Sequence, residues 1–259
     1  MPTVYCGIDG TNNFDRQLYK SAKSAHEFTS YVKRIGPEFS FGRHGYIKGT
    51  TDTLNGSDTD DKARGCARWV EENVTELTGA RRTGVFLAGF SRGGMSAILA
   101  SNLLGEKGIV VDGLFLLDAV NRTFSLANAR HRMPSTNVRW IYHIYRDETS
   151  ASRPLFGSVD KDLTEGSPLA NLTTQAIHLN HGAIGGWKAA ENMERTVTAG
   201  RRRAARKRTY ISETRGWLPD NISRVSPARE DAGHQMVWNI LSGWVREARA
   251  RYYAAHPQF

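Results

Sequence analysis

Ser91 stands between glycines two residues to either side, in Gly89-Phe90-Ser91-Arg92-Gly93-Gly94. A serine hydroxyl attacks a carbonyl only if a base takes its proton and nearby donors hold the oxyanion that forms. Part of that apparatus is local. Val85-Phe86-Leu87-Ala88 reads as a buried strand before the serine. Met95-Ser96-Ala97-Ile98-Leu99-Ala100 reads as an amphipathic helix after it. Strand, serine turn and helix in that order form the context of a nucleophile elbow. The glycines fit because a serine at such a turn holds a strained backbone, and bulk two positions away would clash. The next N–H, that of Arg92, and the helix N-terminus then face a developing oxyanion.

A serine so placed needs a histidine and an acid. In hydrolytic sites on parallel sheets these come later in the chain, each at the C-terminal end of a strand. Two acids qualify. Asp118 ends Gly113-Leu114-Phe115-Leu116-Leu117, where burial would penalise a charge unless it were paired. Asp147 lies in the polar run Arg146-Asp147-Glu148-Thr149 and is the alternative. Among the eight histidines, His181 follows Ala176-Ile177-His178-Leu179-Asn180 and precedes Gly182-Ala183-Ile184-Gly185-Gly186, a turn that lets an imidazole come close. His178 falls inside that expected strand, on its other face, and reads as structural. His234, in Asp231-Ala232-Gly233-His234 ahead of the last helix, is the alternative base. For the second oxyanion donor the sequence offers the loop Gly10-Thr11-Asn12. Metal-assisted hydrolysis has less support. Asp58, Asp60 and Asp61 lack the spacing of a calcium loop and read as the start of a helix, and there is no HExxH or Cys/His cluster for zinc.

The elements that must position these groups alternate. Val4-Tyr5-Cys6-Gly7-Ile8 is a first strand ending in Asp9-Gly10-Thr11-Asn12-Asn13. A helix is expected from Asp58 onward through Cys66, Val70, Val74 and Leu77, closed by Gly79 and Gly84. The elbow strand and helix follow, then strands at residues 113–117, 138–145 and 176–180. The last helix is expected from Gln235 to Tyr253, with Met236, Ile240, Leu241, Trp244 and Val245 inward. This order predicts an α/β fold with a mostly parallel central sheet and helices on both faces.

With 259 residues and 39% hydrophobic content, the chain can bury one substantial core. One domain over residues 1–259 is expected, with about 190–230 a basic insertion or cap. No apolar run spans a bilayer, and the N-terminus enters a strand without a Sec-type leader, so a cytoplasmic protein or one exported by a signal-peptide-independent route is expected. Cys6 and Cys66 read as small buried hydrophobes of a reducing compartment. The net charge of +9 is concentrated in Arg201, Arg202, Arg203, Arg206, Lys207 and Arg208. That cluster suits a solvated face or an anionic membrane surface. It lacks interleaved aromatics, which disfavours nucleic acid as partner.

Several of these stretches resemble one family. Asp9-Gly10-Thr11-Asn12-Asn13 is similar to the DGTxN signature of a bacterial and fungal α/β hydrolase family that includes phospholipase effectors of type VI secretion systems. Tyr46-Ile47-Lys48-Gly49-Thr50 resembles its Y-x-x-G-x-G-T segment, and Gly89-Phe90-Ser91-Arg92-Gly93 its GFSRG elbow. Leu117-Asp118-Ala119-Val120 resembles its D-T-V strand end, with alanine for threonine. His178 to Trp187 resembles its G-x-H-S-D-V-G-G-G-Y segment, retaining His181, Gly185 and Gly186, with Ala183 for the acid. The resemblance implies an α/β-hydrolase-like fold, Ser91 as nucleophile, His181 as base and Asp118 as acid.

The expected activity is hydrolysis of a carboxylic ester, such as a phospholipid or other lipid ester, through an acyl-enzyme without a cofactor. A non-catalytic module that binds nucleic acid or an anionic partner through the basic segment, and a thioesterase or peptidase on the same fold, are the alternatives.

Overall fold

Alternation of side chains across strands decides where the core lies. In the computed structural model, which describes residues 2–10, 30–39, 42–49, 58–75, 78, 82–120, 137–150, 159, 171–186, 195–196, 222–223 and 225–257, six strands make one sheet. They are β1 (Thr3–Ile8), β2 (Arg43–Ile47), β3 (Gly84–Phe90), β4 (Gly113–Leu117), β5 (Ile141–Arg146) and β6 (Leu172–Ile177). Their order is β2-β1-β3-β4-β5-β6, and every adjacent pair is parallel. A separate parallel pair joins β7 (Arg195–Thr196) and β8 (Ile222–Ser223).

Val4, Cys6, Ile8, Val85, Leu87, Leu114, Leu116 and Ile141 point to one face. There they meet Ala63, Cys66, Ala67 and Val70, together with Met95, Ile98 and Leu104. Those residues belong to α2 (Thr59–Asn73) and α3 (Arg92–Glu106), which pack on each other. The residues between them, Tyr5, Phe86, Ala88, Phe90, Phe115, Leu117, Tyr142 and Ile144, point to the opposite face. That face is covered by α1 (Tyr31–Arg34), α4 (His181–Gly185) and α5 (Pro227–Ala255). It carries an aromatic row, with ring centroids 4.5 Å apart for Phe39–Phe86, 5.1 Å for Phe115–Tyr142 and 5.5 Å for Tyr142–Trp244. Contacts of this kind add about 0.5–1.5 kcal/mol each beyond area burial. The fold is α/β and α/β-hydrolase-like, as expected.

Several boundaries differ from the sequence reading. Helix α2 ends at Asn73 because Val74 turns to extended backbone, and Asp58 at its N-cap makes no side-chain cap bond. Strand β6 ends at Ile177, so His178 lies beyond the strand, and His181 opens a short helix instead of a glycine turn. Helix α5 starts at Pro227, eight residues before Gln235, where Ser226 accepts a cap bond from Arg229 N–H. Its buried apolar positions include Val237, Leu241, Val245, Ala248 and Tyr252, which keep Leu241 and Val245 of the expected stripe, and Met236 is 40% exposed. Both cysteines are buried and free. The Cys66 thiol is pushed up by its hydrogen bond with Cys6 and by burial. At the opposite end of the sheet from Ser91, Arg82 and Asp112 form a buried ion pair, and Tyr252 Oη donates to the Arg82 carbonyl.

Candidate active site

The strand order places the site. Connections from β1 and β3 leave in opposite directions across the sheet, which opens a crevice at the C-terminal ends of those adjacent strands. Gly10 lies just past β1, Ser91 past β3, and Asp118 past β4.

Ser91 bridges β3 and α3 with φ 56° and ψ −129°. That is a strained conformation for a residue with a Cβ, held by hydrogen bonds on both sides. Its N–H donates to the Leu117 carbonyl at 3.0 Å, and its own carbonyl accepts from Gly94 at 2.9 Å and Val120 at 3.0 Å. The two glycines are explained by close approach. A Cβ on Gly89 would come within 2.6 Å of Gly94 Cα, and one on Gly93 within 2.8 Å of the Asp9 carbonyl carbon.

Asp118 is the second strained residue, with φ 41°. Its N–H donates to the Ile144 carbonyl at 2.6 Å, which turns the carboxylate away from β4 and toward the serine side. Asp118 Oδ2 lies 2.6 Å from His181 Nδ1, and His181 Nε2 lies 2.8 Å from Ser91 Oγ. With Nδ1–H donating to a carboxylate, Nε2 carries the lone pair and accepts from the hydroxyl. The imidazole is held from two further directions. Asn180 caps α4 by accepting from Ala183 N–H at 2.9 Å, and the ring stacks on Phe90 at 4.8 Å. Ser91 and His181 are each 4% exposed and Asp118 is 0% exposed.

A carboxylate so buried would be pushed up in pKa by desolvation. The Arg146 guanidinium and the His181 hydrogen bond outweigh that and hold it well below the usual range. Arg146 Nη1 donates to Asp118 Oδ2 at 2.6 Å, and Arg146 N–H reaches Oδ1 at 3.4 Å. Reading the sequence passed over this arginine. A lone cation at a strand end beside two carboxylates was its signal.

The two rival residues are engaged elsewhere. Asp147 Oδ1 lies 3.2 Å from His178 Nδ1 and accepts from Thr149 Oγ1 at 2.8 Å and Ser150 N–H at 2.9 Å. It therefore organises the turn Glu148–Ser150 after β5. His234 lies inside α5, not ahead of it, and its Nδ1 is 2.8 Å from Tyr31 Oη.

Of the oxyanion residues, Arg92 opens α3 directly after Ser91. Gly10 N–H donates to Asp9 Oδ1 at 2.9 Å, and Tyr46 Oη donates to Asp9 Oδ2 at 2.5 Å. Thr11 lies outside the described residues. So do Arg201, Arg202, Arg203, Arg206, Lys207 and Arg208, with most of the expected basic insertion. Among the described residues no group of three or more His, Cys, Asp or Glu side chains is placed to hold a metal ion, and no helix is long and apolar enough to cross a membrane.

No family model and no curated protein matches the chain. Among solved structures it is similar to a ferulic acid esterase from Streptomyces cinnamoneus, at 16% identity and TM-score 0.44, over 95% of this chain and 67% of that one. It is also similar to the Tle1 effector bound to the VgrG spike of the Type 6 secretion system, at 13% identity and TM-score 0.40, over 71% of this chain and 51% of that one. A third likeness is to the NocB thioesterase domain in covalent complex with a fluorophosphonate nocardicin G analog, at 15% identity and TM-score 0.36, over 67% and 84%. The chain thus spans about half the length of the Tle1 effector. The α/β-hydrolase-like fold rests on the chain's own parallel sheet and strand–serine–helix turn, not on these distant likenesses.

Proposed function

We propose that this chain is a serine hydrolase that cleaves carboxylic esters through an acyl-enzyme. The observation that carries the reading is the continuous hydrogen-bonded series from Ser91 Oγ through the His181 imidazole to Asp118, with distances of 2.8 and 2.6 Å. In the first half-reaction His181 Nε2 takes the Ser91 proton while Oγ bonds to the ester carbonyl carbon. The oxyanion is held by the Arg92 N–H, with Thr11 proposed as the second donor, since the Gly10 N–H is given to Asp9 Oδ1. His181 then returns the proton to the departing alkoxide. In the second half-reaction water, deprotonated by the same nitrogen, releases the acid and frees Ser91. Asp118 keeps Nδ1 protonated and stabilises the imidazolium.

The substrate class proposed is a lipid ester with an anionic group, a phospholipid included. Support for it is the net charge of +9 and the resemblance of the DGTxN and GFSRG stretches. The whole chain is proposed to act as one domain. Fluorophosphonate labelling with the adduct mapped by mass spectrometry tests the chemistry. Modification at Ser91, absent in S91A, is expected, and ester turnover that survives S91A refutes the assignment. Turnover of a panel of phospholipids against neutral short-chain esters tests the substrate class.

A further inference from the structure

Arg146 and His181 meet at one atom. Nη1 of the arginine and Nδ1 of the histidine each lie 2.6 Å from Asp118 Oδ2, while the arginine's own N–H reaches the other oxygen. The guanidinium is 9% exposed and the carboxylate 0%, so solvent screens neither partner effectively. We propose that Arg146 is a positioning residue, which fixes Asp118 against His181 and, by sharing Oδ2, sets how tightly the carboxylate holds the histidine's second proton.

Asp118 sits at φ 41°, a strained backbone setting that persists only where surrounding contacts hold it. Arg146 ends β5, the strand beside β4, and its side chain and main chain take the two oxygens of that carboxylate in a two-point grip. The grip orients Oδ2 toward His181. It also divides the negative charge of that oxygen between two cations once the imidazole is protonated. A fixed positive charge disfavours the imidazolium directly and weakens its partner, and both effects act in the same direction. His181 therefore stays neutral, and able to act as a base, to lower pH than an isolated Asp–His pair would allow.

Arg92, buried directly after Ser91, is not among the groups that lower the Asp118 carboxyl, and other titratable groups of the surrounding elements have partners of their own. His143 of β5 accepts the Ala119 N–H on Nε2 at 3.3 Å. Asp147 is engaged with His178, Asp9 beyond β1 with Tyr46 of β2, and His234 of α5 with Tyr31. Glu230 is buried in the first turn of α5, and Asp231 beside it is exposed.

The proposal rests on the hydrolase reading for its consequence in catalysis, but its first test needs no turnover. The His181 ring is titrated by NMR in the wild type and in R146Q, with the resonance assigned through H181Q. The midpoint is expected to rise by about 1 pH unit in R146Q. An unchanged or lowered midpoint in folded R146Q overturns the proposal. In the second test the acid limb of kcat/KM on an activated ester is expected to rise by the same amount, with KM unchanged. If R146Q does not fold, R146K is read instead. Lysine keeps the charge and the main-chain donor to Oδ1 but replaces the fixed planar Nη1 donor at Oδ2 with a flexible ammonium, so a lowered kcat with a midpoint above wild type is expected, and wild-type values of both overturn the proposal. A chain that forms no fluorophosphonate adduct refutes the hydrolase reading while the ring titration still decides the role of Arg146.

Discussion

Ser91 and Asp118 are the two non-glycine residues with positive φ among the described residues, and they end neighbouring strands. They are also tied together, since Ser91 N–H donates to the carbonyl of Leu117 and Val120 N–H returns to the carbonyl of Ser91. Strain on β3 and strain on β4 are thus stored in one hydrogen-bonded unit whose two side chains face the same imidazole.

Relief of that strain should separate stability from reactivity. A positive φ costs about 1–3 kcal/mol at a residue with a Cβ, and glycine carries about 0.5–1 kcal/mol of extra unfolding entropy. S91G is expected to be more stable than S91A by about 1 kcal/mol in urea denaturation, with neither variant labelled by a fluorophosphonate.

Changing the acid should slow chemistry without preventing substrate binding. D118N can accept a hydrogen bond from Nδ1–H through its amide oxygen but loses the charge that stabilises the imidazolium, and its NH₂ favours the wrong tautomer. A fall in kcat of about 10⁴-fold is expected, with KM within a few-fold of wild type, measured on an activated ester.

Asp118 also links stability to pH. Its folded-state pKa is depressed, so the stability it contributes is fully present above the ordinary carboxylate value and is lost as pH falls toward the folded one. Below about pH 4 the wild type should therefore lose unfolding free energy more steeply than D118N. Urea titrations between about pH 5 and 2 check the two slopes.

The residues that compete with the site in sequence should be dispensable for it. D147N and H234A alter contacts to His178 and Tyr31, not to Ser91. Each is expected to keep the rate of Ser91 labelling within about threefold, because the series that holds Ser91 Oγ runs through His181 and Asp118. A loss near that of H181Q in either variant would reassign the triad.

At the far end of the sheet, Asp112 accepts from buried Arg82 and from Val85 N–H at 3.0 Å, while Tyr252 secures the arginine's carbonyl. Removing Arg82 leaves the buried Asp112 carboxylate to the half-exposed Arg139, whose Nη1 lies 3.7 Å away. R82M is expected to cost about 3–5 kcal/mol in urea denaturation and to leave the labelling rate of the remaining folded protein unchanged.

What the sequence by itself determined were the features whose physics is local. The elbow was legible because its requirements, a buried strand, a turn with no room beside the serine and an amphipathic helix, fall within about twenty consecutive residues. Helices on both faces of a parallel sheet were legible from the alternation of apolar strand runs with helical patterns along the chain. The start of α5 was written as Ser226-Pro227, a cap followed by proline at the first turn, eight residues ahead of the expected Gln235, and the helix runs on through Gly233. In the structure that glycine is where the helix packs against Leu179, since a Cβ there would meet the leucine side chain. The partners of Ser91 were a different kind of question. Asp118 and Asp147 both end strands, and His181 and His234 both follow the acids, so chain order admitted either. Only the parallel registers of β3, β4 and β5 decided which strand end faces the serine. Arg146 carried no more than its strand-end position as a signal, for the same reason. Its meaning depends on a carboxylate 28 residues away, and a charge pair across two strands exists only once the sheet has brought their ends together.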